Sequence, residues 1–397
     1  MPKLLQINVT ANWGSTGKIA ESIGILAQSK GWISYIAYGR YMNPSKNNLI
    51  KIGSQYDVYE HYAETILLGN EGLASRTATK SFIKRIEEIS PDIVHLHNIH
   101  DHYLNYQILF EYLNRKKIPV VWTFHDCWAF AGSCYYFDDT NCEQWKTRCD
   151  KCPEPEGFLD RAKLHFNQKK ALYGSKKNLV IVPVSDWIAN LTKESFLKDR
   201  RIVTIKNGID LNVFKPTHTN LRSHFSIPKD KTIVLGVALP WSARKGLKDF
   251  VRLSENESLQ IVLVGVSPKQ KKELPRNIIA IEKTSSASEL AEYYSMADVF
   301  VNATYSDNYP TTNLEAIACG TPVITYKTGG SPEAVDEKTG IVVEQGDIDA
   351  LADAIRKMKE HPLSSADCRK RAEEHFDKDK CFEKYIDLYE ELLKGKF

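Results

Sequence analysis

Apolar and polar residues alternate along the first half of the chain in blocks that predict buried strands separated by amphipathic helices. Short apolar runs bounded by loop-forming residues are typical of strands in parallel sheets. In this half they cover residues 3–9, 33–38, 93–97, 118–123, 178–184 and 201–205. Helical spacing of apolar residues follows the first run, at Ile19, Ile23 and Leu26. Repeated strand–helix units predict an α/β fold with a parallel sheet.

The same alternation restarts in the second half and predicts a second α/β domain. The predicted strands there cover residues 232–237, 259–265, 278–281, 299–303 and 322–326. Apolar residues at helical spacing predict the last helices at 348–358, 366–376 and 382–392. The turn signal Asn207-Gly208 places the boundary near residue 206. The 397 residues are too many for one typical core, which also favours two domains.

The unit at residues 299–330 carries the most specific chemistry of the chain. Asp307 lies in a predicted loop at the carboxyl end of a strand, where open α/β sheets bind ligands. Thr311 and Thr312 are predicted to cap the helix that follows, and Glu315 lies about one turn into it. The helix start offers N–H groups and a positive dipole end to a phosphate. The candidate nucleotide-sugar-binding residues here are Asp307, Asn308, Thr311, Thr312 and Glu315.

This stretch resembles the retaining GT-B glycosyltransferases of family 4, whose signature is an acid, seven residues, a Glu and a Gly-x-Pro turn. Asp307 and Glu315 fall on the two acids, and the turn is Gly320 to Pro322. In that family the first acid, usually Glu, holds the donor sugar, and the second holds the nucleotide ribose. The resemblance covers nearly the whole chain and is also specific at residues 207–214.

The N-terminal half narrows the resemblance to one branch of the family. The sequence HNIHDHYLN at 97–105 and the segment HDCWAF at 125–130 resemble enzymes of capsule, exopolysaccharide and lipopolysaccharide assembly. The resemblance implies two Rossmann-like domains that face each other across a cleft. The implied parts are an acceptor-side domain at 1–206 with a cysteine-rich insertion near 127–152, a nucleotide-sugar-binding domain at 207–376, and a C-terminal helix at 377–397 that crosses back to the first domain.

The implied activity is that of a retaining, hexosyl-type glycosyltransferase. It would move a sugar from a nucleotide diphosphate sugar to a glycan or lipid-linked glycan acceptor during surface polysaccharide synthesis. Cations and a helix N-terminus neutralise the leaving diphosphate in such sites, so no catalytic divalent metal is expected. The sequence shows no obvious enzyme nucleophile. We therefore expect same-face attack, in which the leaving phosphate takes the acceptor proton.

The resemblance extends to candidate residues outside the 299–330 unit. Gly14 and Gly17, in the loop after the first strand, are implied to face the cleft, and His125 is implied to face the donor sugar and phosphates. Lys245 matches the family lysine that binds the donor diphosphate. The usual upstream Arg is replaced by Leu239-Pro240, so Arg244 is the candidate substitute. His125, Lys245 and Asp307 are the predicted catalytic residues.

Two clusters of metal-ligand residues have competing explanations. His95 and His97 alternate with core residues in a predicted strand, so packing is expected for at least one of them. Cys134, Cys142, Cys149 and Cys152 form the pattern C-x7-C-x6-C-x2-C. In a cytosolic protein this pattern favours a structural Zn²⁺ over disulfides, although buried cysteines without metal are the alternative.

Composition and charge set the expected location and partners. Apolar residues make up 42% and charged residues 26%, which is typical of a globular protein, and the net charge of +3 is too small to indicate nucleic-acid binding. No apolar run is long enough for a membrane span, and the N-terminus lacks a secretory signal. We expect a cytoplasmic protein. Arg115–Lys117 and Lys169-Lys170 are candidate patches for peripheral contact at the inner membrane face, and ordinary solvated surface is the alternative explanation for such short runs.

Two other functions are compatible with the same sequence pattern. One is a nucleotide-sugar epimerase or hydrolase, which would use a similar two-domain fold. The other is a non-catalytic nucleotide-sugar-binding protein, which the missing upstream Arg would favour.

Overall fold

The computed structural model describes residues 1–137 and 140–395, and the chain divides into two compact units. The first unit contains residues 1–206 together with the residues from 382 onward, and the second contains residues 207–381. Within the described residues, each unit is built around one parallel sheet, with seven strands in the first and six in the second. These two sheets confirm the predicted α/β class.

The strands of the first unit are β1 (Lys3–Asn8), β2 (Ile33–Tyr38), β3 (Asn48–Lys51), β4 (Ile93–Leu96), β5 (Val120–Phe124), β6 (Leu179–Pro183) and β7 (Arg201–Ile202). Their order in the sheet is β3-β2-β1-β4-β5-β6-β7. Every residue of β4, β5 and β6 is buried, as expected for strands covered on both faces. The strand order reverses between β1 and β4, and ligands bind at such a reversal in open α/β sheets.

Among the described residues before 207, six α-helices belong to the first unit, and local sequence explains several of their ends. They are α1 (Gly14–Ser29), α2 (Gln55–Leu68), α3 (Arg76–Ile89), α4 (Tyr106–Arg115), α5 (Ala162–Ser175) and α6 (Asp186–Glu194). Ser54 and Asp57 form a capping box at the start of α2. Asn105 caps α4 by accepting from the backbone N–H of Ile108 at 2.9 Å.

The second unit is also an α/β unit with a parallel sheet. Its strands are β8 (Thr232–Val237), β9 (Leu259–Val264), β10 (Ile279–Ile281), β11 (Val299–Asn302), β12 (Val323–Tyr326) and β13 (Gly340–Val343). The strand order is β10-β9-β8-β11-β12-β13. Its helices are α7 (Leu221–His224), α8 (Leu247–Leu253), α9 (Pro268–Glu273), α10 (Ala287–Met296), α11 (Thr311–Ala318), α12 (Ile348–Glu360) and α13 (Ser365–His375). The reversal here lies between β8 and β11, which brings the loops after these two strands together.

The last helix, α14 (Lys378–Leu393), carries a buried polar contact to the first sheet. The Tyr385 and Thr123 hydroxyls are 2.9 Å apart, and the Tyr389 hydroxyl is 2.6 Å from Nδ1 of His95. All four side chains are buried. The polar groups of this layer are therefore satisfied by one another rather than by water.

Among the described residues, no helix is long and apolar enough to cross a membrane. One part of the membrane-contact prediction is wrong. Lys169 is fully buried in α5, so Lys169-Lys170 is not a surface patch of two cations. Arg115, Lys116 and Lys117 are exposed, as that prediction requires.

Candidate functional site

The loops after β8 and β11 bring together two of the predicted catalytic residues. Lys245 ends a short 3-10 helix after β8, and Asp307 lies in the loop after β11. The Lys245 Nζ atom is 2.5 Å from Oδ2 of Asp307. Their side chains are 22% and 17% exposed, so the ion pair is partly shielded from solvent. The pair places a cation and an anion together at the carboxyl edge of the second sheet.

The backbone around Arg244 locks these two loops to each other. The Arg244 guanidinium donates to the carbonyl of Ser306, and the Arg244 carbonyl accepts from the backbone N–H of Tyr305 at 2.7 Å. Gly246 then turns the chain at φ 72°, and a Cβ there would lie 2.1 Å from the carbonyl oxygen of Ala303. Only glycine permits this close approach. The side chain of Arg244 thus holds the Asp307 loop in place.

Helix α11 begins directly after the Asp307 loop, but its start differs from the prediction. Its N-cap is Pro310, and no side chain caps it, so the prediction that Thr311 and Thr312 cap this helix is wrong. These two residues instead form the first two positions of the helix. Asn308, which is buried, donates its backbone N–H to Oδ1 of Asp307 at 3.0 Å. The predicted residues Asp307, Asn308, Thr311 and Thr312 therefore lie along one continuous loop and helix start.

Glu315 is on α11, one turn beyond its start, and is held by a buried tyrosine that sequence reasoning missed. The Tyr294 hydroxyl donates to Oε2 of Glu315 at 2.9 Å. Burial, reinforced by the charge of Glu315, raises the pKa of Tyr294, so its hydroxyl stays protonated and remains a donor. No sequence signal pairs these residues, because Tyr294 belongs to α10 and reads as an ordinary core position.

A buried polar cluster fixes α11 against the sheet. The Asn302 side-chain amide donates to Oδ1 of Asn313 at 2.7 Å, and Asn313 in turn donates to Oγ of Ser331 at 3.0 Å. The hydroxyls of Ser331 and Thr325 are 2.6 Å apart. All four residues are buried. They orient the helix start relative to β11 and β12, and no motif in the sequence marks them as site residues.

In the first unit, His125 follows β5 at the carboxyl edge of the sheet. Its Nε2 atom is 3.1 Å from Nδ1 of His97, and Nε2 of His97 is 3.1 Å from Oε1 of Gln6. Burial lowers the pKa of His125 to about 4 and lowers the pKa of His97 well below its usual value. Both imidazoles are therefore neutral at physiological pH. His95 and His97 are both buried and their rings are 4.1 Å apart, which confirms the packing interpretation.

An ion pair lies next to His125 in the same unit. Nε2 of His100 is 2.9 Å from Oδ2 of Asp126, whose other oxygen accepts from the backbone N–H of Trp128 at 3.0 Å. Burial lowers the pKa of His100, but the charges of Asp126, Asp101 and Glu71 outweigh it and raise the pKa to about 9. His100 is therefore a buried cation at neutral pH.

Glycine occupies positions 14 and 17 of the first loop for different structural reasons. Gly14 begins α1 at φ 66°, and a Cβ there would have no neighbour within 4 Å. At Gly17 a Cβ would lie 2.7 Å from Oγ1 of Thr10 and 3.2 Å from the backbone nitrogen of Asn12. Gly17 lets α1 pack tightly on the loop after β1, so its packing role is explained by the fold alone.

The cysteine-rich insertion is anchored by Lys169, which was predicted to lie on the surface. Nζ of Lys169 donates to the carbonyls of Trp128 at 2.7 Å, Gly132 at 2.9 Å and Ala131 at 3.2 Å. It also lies 3.4 Å from the centre of the Trp128 ring, a cation–π contact. This lysine ties the beginning of the insertion to α5.

The four candidate zinc ligands are reduced cysteines, of which Cys149 is buried and the other three are partly buried. The neighbouring Cys152 thiol and burial raise the pKa of the Cys134 thiol. Among residues 1–137 and 140–395, however, no group of three or more His, Cys, Asp or Glu is arranged to hold a metal ion. The zinc site therefore stays a prediction from the sequence pattern.

Each of the two units matches a known glycosyltransferase family, and one relative matches nearly the whole chain. Residues 35–213 match the family Glycosyltransferase Family 4, and residues 219–375 match the family Glycosyl transferases group 1. A protein of Escherichia coli (strain K12), named as a colanic acid biosynthesis glycosyl transferase (WcaC), is 22% identical over 413 residues, which cover 98% of this chain and 100% of the relative.

Two solved structures are similar to this chain over nearly its full length. A sucrose-phosphate synthase from Thermosynechococcus elongatus superposes with a TM-score of 0.77 at 19% identity, covering 100% of both chains. The Anabaena protein HepE, solved with UDP-glucose, gives a TM-score of 0.66 at 14% identity and covers 97% of this chain and 98% of its own. The two family models together cover most of both parallel-sheet units, and the chain therefore belongs to the family 4 glycosyltransferases with the GT-B fold.

Proposed function

We propose that this glycosyltransferase moves a sugar from a nucleotide diphosphate sugar to a glycan acceptor in surface polysaccharide synthesis. The observation that carries the proposal is the Lys245–Asp307 pair beside the start of α11. One comparison supports the role in polysaccharide synthesis, and another supports the nucleotide-sugar donor. The relative WcaC is named for colanic acid biosynthesis, and the structural neighbour HepE was solved with UDP-glucose.

In this proposal Lys245 and the N-terminal amides of α11 bind the donor diphosphate. The ammonium group neutralises the negative charge that grows on the leaving group as the glycosidic bond breaks. The helix start adds N–H donors and a positive dipole end. These groups supply the countercharge that a divalent metal would otherwise supply. Arg244 contributes by holding the Asp307 loop, through its bond to the Ser306 carbonyl.

The two acids divide the recognition of the donor. Glu315, fixed by Tyr294, binds the ribose hydroxyls, and Asp307 binds the transferred sugar. In the first unit, Gly14 and Gly17 shape the loop that faces the ligand, and His125 contacts the donor sugar. The first unit is accordingly the acceptor side, and the second binds the nucleotide.

The proposed transfer retains the anomeric configuration. The acceptor hydroxyl attacks the anomeric carbon from the face that the diphosphate leaves. The bond from that carbon to the phosphate oxygen breaks, the bond to the acceptor oxygen forms, and the acceptor proton goes to the leaving phosphate oxygen. No enzyme nucleophile is needed for this step.

The acceptor in this proposal is a glycan, and a lipid-linked glycan is the form we favour. The exposed cations Arg115–Lys117 would hold the first unit against an anionic membrane face at which such an acceptor resides. A zinc ion on Cys134, Cys142, Cys149 and Cys152 would stabilise the insertion without entering the chemistry.

The proposal is tested by a thermal-shift screen of nucleotide sugars, followed by NMR analysis of the products formed with a glycan acceptor panel. Ligands that bind only the native state raise its melting temperature. A new glycosidic linkage with the donor's anomeric configuration supports the proposal. A free sugar epimer or free sugar formed from the donor alone favours the epimerase or hydrolase alternative. Tight donor binding with no turnover on any acceptor favours the binding protein.

A further inference from the structure

A buried chain of three side chains leads from the interior of the first sheet to His125. Gln6 lies on β1, His97 directly follows β4, and His125 directly follows β5. These three strands are neighbours in the sheet. His97 links the other two residues, with 3.1 Å from its Nε2 to Oε1 of Gln6 and 3.1 Å from its Nδ1 to Nε2 of His125. Gln6 and His97 are almost completely buried.

The orientation of the Gln6 amide is fixed by a backbone carbonyl. Its Nε2 group is 2.8 Å from the carbonyl oxygen of Ala20, in α1. A carbonyl can only accept a hydrogen bond, so the nitrogen of the Gln6 amide must point towards Ala20. The oxygen of the same amide then points towards His97. Because this oxygen carries no proton, Nε2 of His97 must be the donor.

The protonation of His97 determines that of His125. Burial keeps His97 neutral, so a proton on its Nε2 leaves its Nδ1 unprotonated. The hydrogen bond at 3.1 Å between the two rings must therefore be donated by Nε2 of His125. His125 is also neutral, which leaves its Nδ1 without a proton.

We propose that Gln6 and His97 are positioning residues that hold His125 in its Nε2–H tautomer, so that Nδ1 of His125 can act only as a hydrogen-bond acceptor. The assignment follows from the bonding pattern between the three side chains.

The fixed tautomer selects the kind of ligand group that His125 can recognise. A group that meets Nδ1 must donate a hydrogen, as a sugar hydroxyl does. An ionised phosphate oxygen has no hydrogen to donate, and the neutral ring has no charge to attract it. This part of the inference rests on the proposed function, because it takes His125 to face the donor. Within that function, His125 contacts the sugar and not the diphosphate.

The tautomer is tested directly in the ligand-free protein by NMR of ¹⁵N-histidine-labelled samples. Long-range ¹H–¹⁵N spectra distinguish a protonated from an unprotonated ring nitrogen, and a His125→Asn variant identifies the His125 signals among the eleven histidines. We expect protonated Nε2 and unprotonated Nδ1 in both His97 and His125. A proton on Nδ1 of His125 in the wild-type spectrum would overturn the proposal.

A matched pair of variants tests whether Gln6 maintains the tautomer. Gln6→Leu removes the acceptor for His97, and we expect a measurable Nδ1–H population of His125 to appear. Thr123→Val is the control, because it removes the buried hydrogen bonds of the Thr123 hydroxyl to His95 at 2.7 Å and to Tyr385 at 2.9 Å and removes no hydrogen bond of His97. It should leave the His125 signals unchanged. A fully retained tautomer in Gln6→Leu would also contradict the role of Gln6.

Calorimetry with UDP and UDP-glucose as probes tests the functional consequence separately. We expect Gln6→Leu to weaken UDP-glucose about threefold to tenfold and to leave UDP unchanged, while Thr123→Val changes neither. Equal losses for both probes would show that His125 does not discriminate sugar from phosphate. If the wild-type protein binds neither probe, the proposed donor is wrong for these nucleotides, and the NMR result still decides the tautomer.

Discussion

Lys245 and Asp307 are 62 residues apart in sequence, yet the Lys245 Nζ atom lies 2.5 Å from the Asp307 carboxylate. The contact arises because β8 and β11 are neighbours at the point where the order of the second sheet reverses. One residue predicted to bind the diphosphate thus pairs with one predicted to bind the sugar. Binding of UDP and of UDP-glucose to variants of each residue can distinguish the two roles.

We predict that Lys245→Ala weakens nucleotide-sugar binding and slows turnover. The loss of a charge-assisted contact to a diphosphate should cost about 1.5–3 kcal/mol, which is roughly tenfold to a hundredfold in affinity. Lys248→Ala, an exposed lysine three residues further along, is the control and should have wild-type kinetics. Equal kinetics for both variants would place Lys245 outside the site.

The two acids of the second unit should respond differently to loss of charge. Glu315→Gln should weaken UDP and UDP-glucose by a similar factor, because both ligands carry the ribose. Asp307→Asn should weaken only the intact donor, by about 1.5–3 kcal/mol for one charged hydrogen bond, and it should not weaken UDP, because Lys245 remains. Calorimetry with both ligands measures the difference. A comparable loss of UDP affinity in Asp307→Asn would refute this division.

We predict that Lys169→Met destabilises the fold. The substitution leaves three backbone carbonyls without their donor, and each unsatisfied buried acceptor costs about 1–3 kcal/mol before water enters. Lys170→Met is the matched control, since Lys170 is exposed. Urea unfolding monitored by tryptophan fluorescence should show a lower midpoint for Lys169→Met alone. An unchanged midpoint would mean that the three carbonyls find other donors.

The His100–Asp126 pair should make stability depend on pH above neutrality. The folded-state pKa of His100, about 9, is higher than its ordinary value of 6.5. Its stabilising contribution is therefore complete below about pH 6.5 and is lost as the pH rises towards 9. Melting temperatures of the wild-type protein and of His100→Gln should converge over this range. Parallel curves would show that the pair does not titrate there.

Elemental analysis of the purified protein tests the zinc prediction. If the four cysteines bind Zn²⁺, about one zinc per chain should copurify, and removing it with a chelator should lower the melting temperature, because metal binding is linked to folding. Replacing Cys134 and Cys152 by serine should abolish zinc binding, whereas Cys368→Ser, outside the insertion, should not. A metal-free protein with four reactive thiols would end the prediction.

The local sequence pattern was sufficient to predict much of the fold. Strand-like runs separated by helical periodicity predicted two parallel α/β units, and the signature around Asp307 and Glu315 located a candidate site in the second. Strands β3 and β13 were not predicted. They are four-residue strands at the edges of their sheets, where partial exposure weakens the apolar pattern that marks buried strands. Helices α4, α5, α7, α8 and α9 were also not predicted.

Tertiary structure alone decided which side chains meet. Periodicity tells whether a residue faces a core, but it does not tell which distant residue lies opposite it. Lys169 looked like surface charge beside Lys170, and only the packing of the insertion on α5 buries it against three carbonyls. The tyrosine that holds Glu315 and the glutamine that orients His97 likewise read as ordinary core positions. The sequence by itself thus determined most of the strands and the two acids of the second unit, whereas the order of strands in each sheet determined which residues those acids meet, because it brings distant strand ends to one edge.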